Sequence, residues 1–260
     1  MKARKRFGQH FLVAEDVIGD IVSALGHIAD DHVIEIGPGH GALTASLAAA
    51  QPALLTLVEI DRDLAPRLAV RFPRARVLNQ DVLTLDFASL APRPYRVVGN
   101  LPYNISTPLL VKLLRDTTPI ADMHFMLQRE VADRLAAGPG SKAWGRLSVL
   151  TQYHCTVEKL FDVAPECFEP PPAVVSAVVR LVPRREQPDR VDSASLDAVL
   201  RALFSQRRKR IASGLRQLAP MAAWEAAGLD LDTGVRVESV SLDDFLRLAA
   251  IHRTLRGEHE

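Results

Sequence analysis

The sequence predicts a doubly wound α/β domain followed by a small all-helical domain. Three observations carry that expectation. Short apolar β-like runs alternate with helical patterns from residue 33 to residue 137, and a glycine-rich turn, Gly37-Pro-Gly-His-Gly41, follows the first of those runs. Beyond Pro183 the β-like texture stops and helical patterns alone continue. With 260 residues and 48% hydrophobic content, the chain has enough apolar material for a full core and a smaller second one.

Taken in order, 33–37 reads as a buried strand and 41–50 as a helix with Ala and Leu at its packing positions. A second apolar strand, 54–60, leads into a helix through Leu64, Leu68 and Val70. The next strands are expected at 76–79 and 95–99, and helices near 106–115 and 129–137 flank a further strand at 123–127. Two later β-like runs, 147–157 and 174–181, are expected to close the sheet as a hairpin-like edge. The segment 183–188, with a proline at each end, reads as a linker into helical patterns at 196–204, 206–218 and 242–255. The expected division is therefore a catalytic domain over 1–183 and a helical domain over 184–260.

No apolar run approaches the roughly 20 residues of a membrane span. The basic N-terminus lacks the apolar stretch of an export signal, so a cytoplasmic protein with Cys155 and Cys167 reduced is expected. No Cys/His spacing suggests a metal site, and a monomer is the default. The net charge of +1 conceals an uneven distribution. Residues 2–6 hold Lys2, Arg4, Lys5 and Arg6 without an acid, and 180–216 carries ten basic residues against four acidic ones. A neutral body with basic segments suits a protein that binds a polyanion on one face.

The chemistry is expected where the strands end. Gly37, Gly39 and Gly41 let the backbone turn tightly after the first strand and approach a ligand. Glu59 ends the next strand, 20 residues after Gly39, where a carboxylate can accept hydrogen bonds from ribose hydroxyls. Ile60 follows it. This pair does not by itself separate a nicotinamide dinucleotide from S-adenosylmethionine, although the G-x-G-x-G spacing tilts against the former. Asp81 and Val82 end the third strand, positioned to meet an adenine amine and its ring. That third station favours S-adenosylmethionine.

Asn100-Leu101-Pro102-Tyr103 follows the fourth strand at the same edge. Adenine N6 is a poor nucleophile because its lone pair is delocalised into the ring. Two acceptors, the Asn100 side-chain oxygen and the Leu101 carbonyl, would favour a pyramidal nitrogen with its lone pair aimed at a methyl group. Pro102 stiffens the turn, and Tyr103 offers a face for a flipped-out base, worth about 1–3 kcal/mol. Taken alone, the four residues are also an ordinary proline turn; their order after the other three stations gives them functional meaning.

These stations lie within a longer set of stretches. Residues 4–12 (Arg-Lys-Arg-Phe-Gly-Gln-His-Phe-Leu), 35–39, 58–61, 79–81, 99–103 and 168–172 together resemble the small-subunit ribosomal RNA adenine dimethyltransferases, as does Phe204-Ser-Gln-Arg-Arg-Lys209. The resemblance runs over nearly the whole chain. It implies dimethylation of two adjacent adenosines in a hairpin loop near the 3′ end of small-subunit rRNA, within an assembling subunit. It also implies that His10 and Leu12 cover the cofactor, with Gly37, Glu59, Asp81 and Asn100 as other contacts. Phe168 would complete a base sandwich opposite Tyr103. His10 departs from the Asn that family members often carry, so a backbone contact there is better supported than a side-chain one.

RNA contacts are expected from Lys5, Arg6, Arg207, Arg208, Lys209 and Arg210. The last four cannot share one helix face, so some meet phosphate while others are solvated or paired. Lys and Arg with few aromatics suit recognition of RNA backbone and shape. The competing readings are the large-subunit methyltransferase type that confers macrolide resistance, a non-catalytic RNA-binding assembly or transcription factor on the same fold, and a nicotinamide oxidoreductase.

Overall fold

A computed structural model describes residues 10–115, 117, 119–185 and 191–257. Lys5 and Arg6 lie outside the described residues, as do linker residues 186–188. The elements run β1 (Phe11–Leu12), α1 (Glu15–Leu25), β2 (His32–Ile36), α2 (Ala42–Ala49), β3 (Leu54–Glu59), α3 (Ala65–Arg71), β4 (Arg76–Asn79), β5 (Tyr95–Asn100), α4 (Tyr103–Leu113), β6 (Ile120–Gln128) and α5 (Arg129–Ala136). They continue with α6 (Arg146–His154), β7 (Cys155–Val163), β8 (Phe168–Glu169), β9 (Ser176–Pro183), α7 (Ser193–Phe204), α8 (Ile211–Leu215), α9 (Met221–Ala226) and α10 (Leu242–Gly257).

The chain divides into two compact units, Met1–Asp133 with Cys155–Pro183, and Arg134–His154 with Arg184–Glu260. The first is built on a seven-stranded sheet of order β4-β3-β2-β5-β6-β9-β7. Its strands from β4 to β6 are parallel, and β9 runs antiparallel to both its neighbours. Parallel strands covered on both faces read as continuous apolar runs, and β2 is buried at all five positions. The chain steps outward from β2 to β3 and β4, then returns to β5 on the other side of β2. The strand order therefore reverses between β2 and β5, and a crevice opens beyond their carboxyl ends.

α1 falls in a stretch where the alternation that starts at residue 33 gives no warning. Glu15 and Asp16 in its first turn suit the positive end of the helix, and Gly26 stops it at φ +68°. Ile18, Ile21 and Leu25 form its buried stripe.

The expected strand over 147–157 is corrected. Residues 146–154 are helix, and the strand that pairs with β9 is Cys155–Val163. Val149 and Tyr153, four residues apart, are both buried in the core of the second unit. The same burial revises the division at 183. Trp144 has no solvent exposure, and its indole N–H donates to the Val240 carbonyl at 3.0 Å. Residues 134–154 therefore pack with the helical segment that follows Arg184.

In that second unit, α7 is capped by Asp192, whose carboxylate accepts from the N–H groups of Ala194 and Ser195 at 3.3 and 2.9 Å. Its core gathers Leu200, Leu203, Leu215, Trp224 and Phe245 around Trp144. The pattern expected as one helix over 206–218 forms only α8, Ile211–Leu215. The N–H groups of Ile211 and Ala212 instead bond the carbonyls of Val235 and Thr233, which breaks the helix before it. No helix among the described residues is long and apolar enough to cross a membrane. Cys155 is buried and Cys167 half-buried, both as thiols.

Candidate active site

The carboxyl ends of β2 to β5 line a cleft of about 1230 Å³. Its floor begins with the glycine turn. Gly37, Gly39 and Gly41 have φ of +66°, +57° and +80°, a region in which side chains are strained. At Gly39 a Cβ would also stand 2.9 Å from the Phe11 ring. Glu59 joins this turn to the next strand end. Its two carboxylate oxygens accept from the Gly39 N–H at 3.1 Å and the Asp61 N–H at 2.9 Å. Burial raises its pKa, the backbone hydrogen bonds from Asp61 and Gly39 pull it back, and the nearby Asp61 charge adds to the rise. Each oxygen retains a lone pair for a ligand hydroxyl.

Asp81 is held in a turn: Oδ1 accepts from the Leu83 N–H at 2.8 Å, and its carbonyl accepts from the Thr84 hydroxyl at 2.9 Å. Val82 is buried beside it. Ile60 projects at the cleft with 45% of its surface exposed, one of few large aliphatic side chains so placed. A flat apolar ligand would cover it.

β5 ends in Gly99 and Asn100. A Cβ at Gly99 would meet the Ile36 carbonyl oxygen at 2.5 Å, so only glycine lets β5 lie this close to β2. Asn100 Nδ2 donates to the His10 carbonyl at 2.9 Å, which leaves the side-chain oxygen as the group able to accept from a ligand. Leu101 turns inward, with no exposed surface, and its N–H donates to the Met126 carbonyl at 3.2 Å. Pro102 precedes α4, and its carbonyl accepts from the N–H groups of Ile105 and Ser106 at 3.0 and 3.2 Å. Tyr103 opens α4, and its hydroxyl shares a hydrogen bond with Ser176 Oγ at 2.8 Å. Burial raises the Tyr103 pKa, so the phenol stays neutral. The His10 ring stacks against Tyr103, with centroids 5.7 Å apart and planes inclined by 28°.

Twelve of the site residues expected from sequence meet at this cleft: His10, Leu12, Gly37, Gly39, Glu59, Ile60, Asp81, Val82, Asn100, Leu101, Pro102 and Tyr103. Phe168 is not among its walls. It is 3% exposed and packs in the core with Leu12 and Val178, opposite Leu12 in the β1–β8 pair. Side chains alternate along a strand, so Phe168 points inward while Glu169 and Pro170 reach the cleft.

Sequence reasoning passed over Phe11, which roofs Gly39, and His40, whose ring lies 4.2 Å from that of Phe11. It also passed over Glu35 as a functional group. Glu35 is 2% exposed at the cleft floor and accepts the Thr44 hydroxyl at 2.6 Å. Burial lifts its pKa to about 8, against the Thr44 hydrogen bond and with help from the Glu59 charge. An acid inside the apolar run Val33-Ile-Glu-Ile was the available signal. Among the described residues, no group of three or more His, Cys, Asp or Glu is placed to hold a metal ion.

The basic run belongs to the second unit. Arg207, Arg208, Lys209 and Arg210 are all exposed. The last three line a cleft of about 830 Å³ with Arg216 and Arg236.

A largely parallel sheet with one reversed strand, and a glycine turn and acidic strand ends at its switch point, define a Rossmann-like fold of the methyltransferase type. Comparison with known proteins narrows that class. A family model described as ribosomal RNA adenine dimethylase matches residues 1–253, and the chain belongs to that family. The ribosomal RNA small subunit methyltransferase A of Bordetella petrii is 52% identical over 250 residues, covering 95% of this chain and 94% of its own length. The protein of the same name from Chromohalobacter salexigens is 50% identical over 258 residues, covering 95% and 90%. Among solved structures, the 23S rRNA methyltransferase ErmE superposes with a TM-score of 0.70 at 29% identity, covering 94% of this chain and 99% of its own. A dimethyladenosine transferase from Plasmodium falciparum shares the fold, with a TM-score of 0.77 at 24% identity over 92% and 96% of the two chains.

Proposed function

We propose that this protein transfers methyl groups from S-adenosylmethionine to N6 of two adjacent adenosines in a hairpin loop near the 3′ end of small-subunit rRNA. It acts in the cytoplasm, as a monomer, on an assembling subunit. The observation that carries the chemistry is Asn100, held by the His10 carbonyl with its oxygen left to accept, beside Tyr103 and in one cleft with Glu59 and Asp81. The names and near-50% identity of the bacterial relatives support the substrate.

The cleft fits the cofactor on three counts. Glu59 is anchored by backbone N–H groups with lone pairs to spare for ribose hydroxyls, Ile60 and Val82 give an apolar slot for an adenine ring, and Asp81 stands at its edge for the amine. Gly37 and Gly39 admit close approach of the methionine end, with Leu12 and the His10 backbone beside them. When bound, the cofactor supplies an electrophilic methyl group on a cationic sulfonium. Asn100 Oδ1 and the Leu101 carbonyl accept the two N6 hydrogens and turn the nitrogen lone pair toward that methyl. Tyr103 holds the base by stacking. The amine nucleophile is neutral; as its new C–N bond forms the nitrogen turns cationic and sheds one N6 hydrogen as a proton to solvent, so alignment contributes more than a strong base. Arg207, Arg208, Lys209 and Arg210, with Lys5 and Arg6, supply contacts to the RNA backbone.

The test is methyl transfer to small subunits that lack the modification, with the labelled nucleotides mapped by mass spectrometry. Label on two adjacent small-subunit adenosines is expected. Label confined to large-subunit RNA would favour the macrolide-resistance type, toward which the likeness to ErmE points. Absence of any transfer with intact RNA binding would favour a non-catalytic assembly factor.

A further inference from the structure

We propose that the His10 ring is the second stacking wall for the target adenine, opposite Tyr103, and that this side chain serves the base and not the cofactor. The proposal rests on the adenine N6 reading of the cleft and fills the place in the base slot that Phe168 leaves open.

Phe168 is buried in the core and absent from the cleft walls. A base held by Tyr103 alone has one covered face, and its other face needs a flat partner from the same rim. Among the described rings of the cleft wall, Phe11 and His40 pack on each other beside Gly39, and His10 lies against Tyr103. Neighbouring side chains of an extended segment point in opposite directions. Phe11 thus goes to the glycine turn, and His10 goes to the base side.

The His10 and Tyr103 rings are stacked, with planes inclined by 28° and centroids 5.7 Å apart. A base takes up about 3.4 Å of a stack, so one lying between two rings holds their planes roughly 6.8 Å apart. The centroid distance is an upper bound on the gap between the planes. The slot must therefore widen by at least about 1 Å to take a base.

Tyr103 is the fixed wall. It opens α4, and its hydroxyl shares a hydrogen bond of 2.8 Å with Ser176 Oγ at the start of β9. His10 is the wall that gives way. Its Nδ1 donates to the Pro170 carbonyl at 2.8 Å, just beyond β8, which turns the ring edge-on to that loop and its face to Tyr103. Rotation about the His10 side-chain torsions opens the slot without moving the backbone. That backbone has its own task, since the His10 carbonyl accepts from Asn100 Nδ2 at 2.9 Å. The carbonyl orients the acceptor for N6 and the ring covers the base, so replacing the side chain leaves the Asn100 contact in place.

The experiment uses the full chain and small subunits that lack the modification. It measures the single-turnover rate of methyl transfer, affinity for the subunit, cofactor affinity by calorimetry, and the thermal midpoint. Insertion of the base follows docking of the subunit, so loss of a wall falls on the rate. His10→Ala is expected to lower that rate roughly 5- to 30-fold, with subunit affinity, cofactor affinity and midpoint unchanged. His10→Asn keeps a donor for the Pro170 carbonyl and gives up the ring, and is expected to match His10→Ala. His10→Phe keeps a face and gives up that donor, and is expected to stay within about 3-fold of wild type.

Three results would overturn the wall. A fall in cofactor affinity that accounts for the lost rate in His10→Ala would assign the side chain to the cofactor. An unchanged or faster rate in His10→Ala would make the ring a bystander or an obstacle. A loss in His10→Phe equal to that in His10→Ala, with His10→Asn near wild type, would make the Pro170 hydrogen bond the feature that matters. In each of these cases wild type still methylates the subunit, and the wall alone is wrong. If wild type transfers no methyl group to adenosine, the N6 reading fails and the wall with it.

Discussion

The two clefts treat charge in opposite ways. In the sheet unit's cleft, Glu59 and Glu35 are buried and committed: Glu59 accepts two backbone N–H groups and Glu35 accepts Thr44. In the helical unit's cleft, Arg208, Lys209, Arg210, Arg216 and Arg236 are exposed and, among the described residues, without an ion pair. The first cleft suits a small ligand and a single base, recognised by hydrogen bonds oriented before the ligand arrives. The second suits a long polyanion, recognised by an electrostatic field that salt weakens. On the proposed function, specificity for the reacting atom and affinity for the RNA belong to different parts of the chain.

That contrast can be broken or sharpened by four measurements. The largest effect is expected from Asn100→Ala. Loss of one acceptor should lower methyl transfer about 100- to 1000-fold, while calorimetry shows cofactor affinity largely intact; full activity would remove Asn100 from the chemistry. Next, raising salt from about 50 to about 200 mM should cost roughly 100-fold or more in RNA affinity if five phosphates are neutralised. Cofactor affinity, which rests on buried hydrogen bonds, should change little over the same range. Equal sensitivity of both ligands would erase the distinction between the clefts.

Tyr103→Ala comes third. Removal of a stacking face worth about 1–3 kcal/mol should lower kcat/KM about 5- to 150-fold. Tyr103→Phe keeps the ring and gives up only the Ser176 hydrogen bond, so its loss should stay near about 1 kcal/mol. Comparable losses in both would mean that the hydroxyl, and not the face, matters.

The smallest effect tests Glu35. Its carboxyl ordinarily titrates at 4.5, and burial lifts it to about 8 in the folded chain. Between those values the folded protein holds a proton that the unfolded chain has released, so rising pH withdraws stability across that window. Glu35→Gln removes this dependence. The melting temperature of the variant relative to wild type should therefore climb by a few degrees between about pH 5 and pH 8. A difference that stays flat with pH would show that Glu35 is ionised where it stands.

Much of the first unit was legible because its signals are local. The apolar runs, the glycine turn, Glu59, Asp81 and Asn100 each follow from the residues beside them, and parallel pairing brings successive strand ends to one edge. The helix over 146–154 was hidden because Ser148, Val149, Thr151 and Tyr153 read as β-like by composition. Packing in the second unit overrides that preference. Phe168 illustrates a finer limit: a strand of two residues leaves no run long enough to say which side chain faces inward.

The basic segment shows the same divide. Its composition announces a polyanion, since charge density is a property of the chain as written. Where its cations stand depends on partners far away in sequence: Arg207 donates to the carbonyls of Lys142 and Trp144, and a backbone bridge sets Arg236 opposite Arg210. The sequence by itself determined the class of fold and the strand edge at which the proposed cofactor and base sites lie, because both rest on short-range periodicity and turn chemistry. Only the tertiary structure decided that residues 134–154 join the helical unit, that Phe168 is core, and that Arg207 is held by the Lys142 and Trp144 carbonyls. Those outcomes depend on burial and hydrogen bonds between residues that chain order does not bring together.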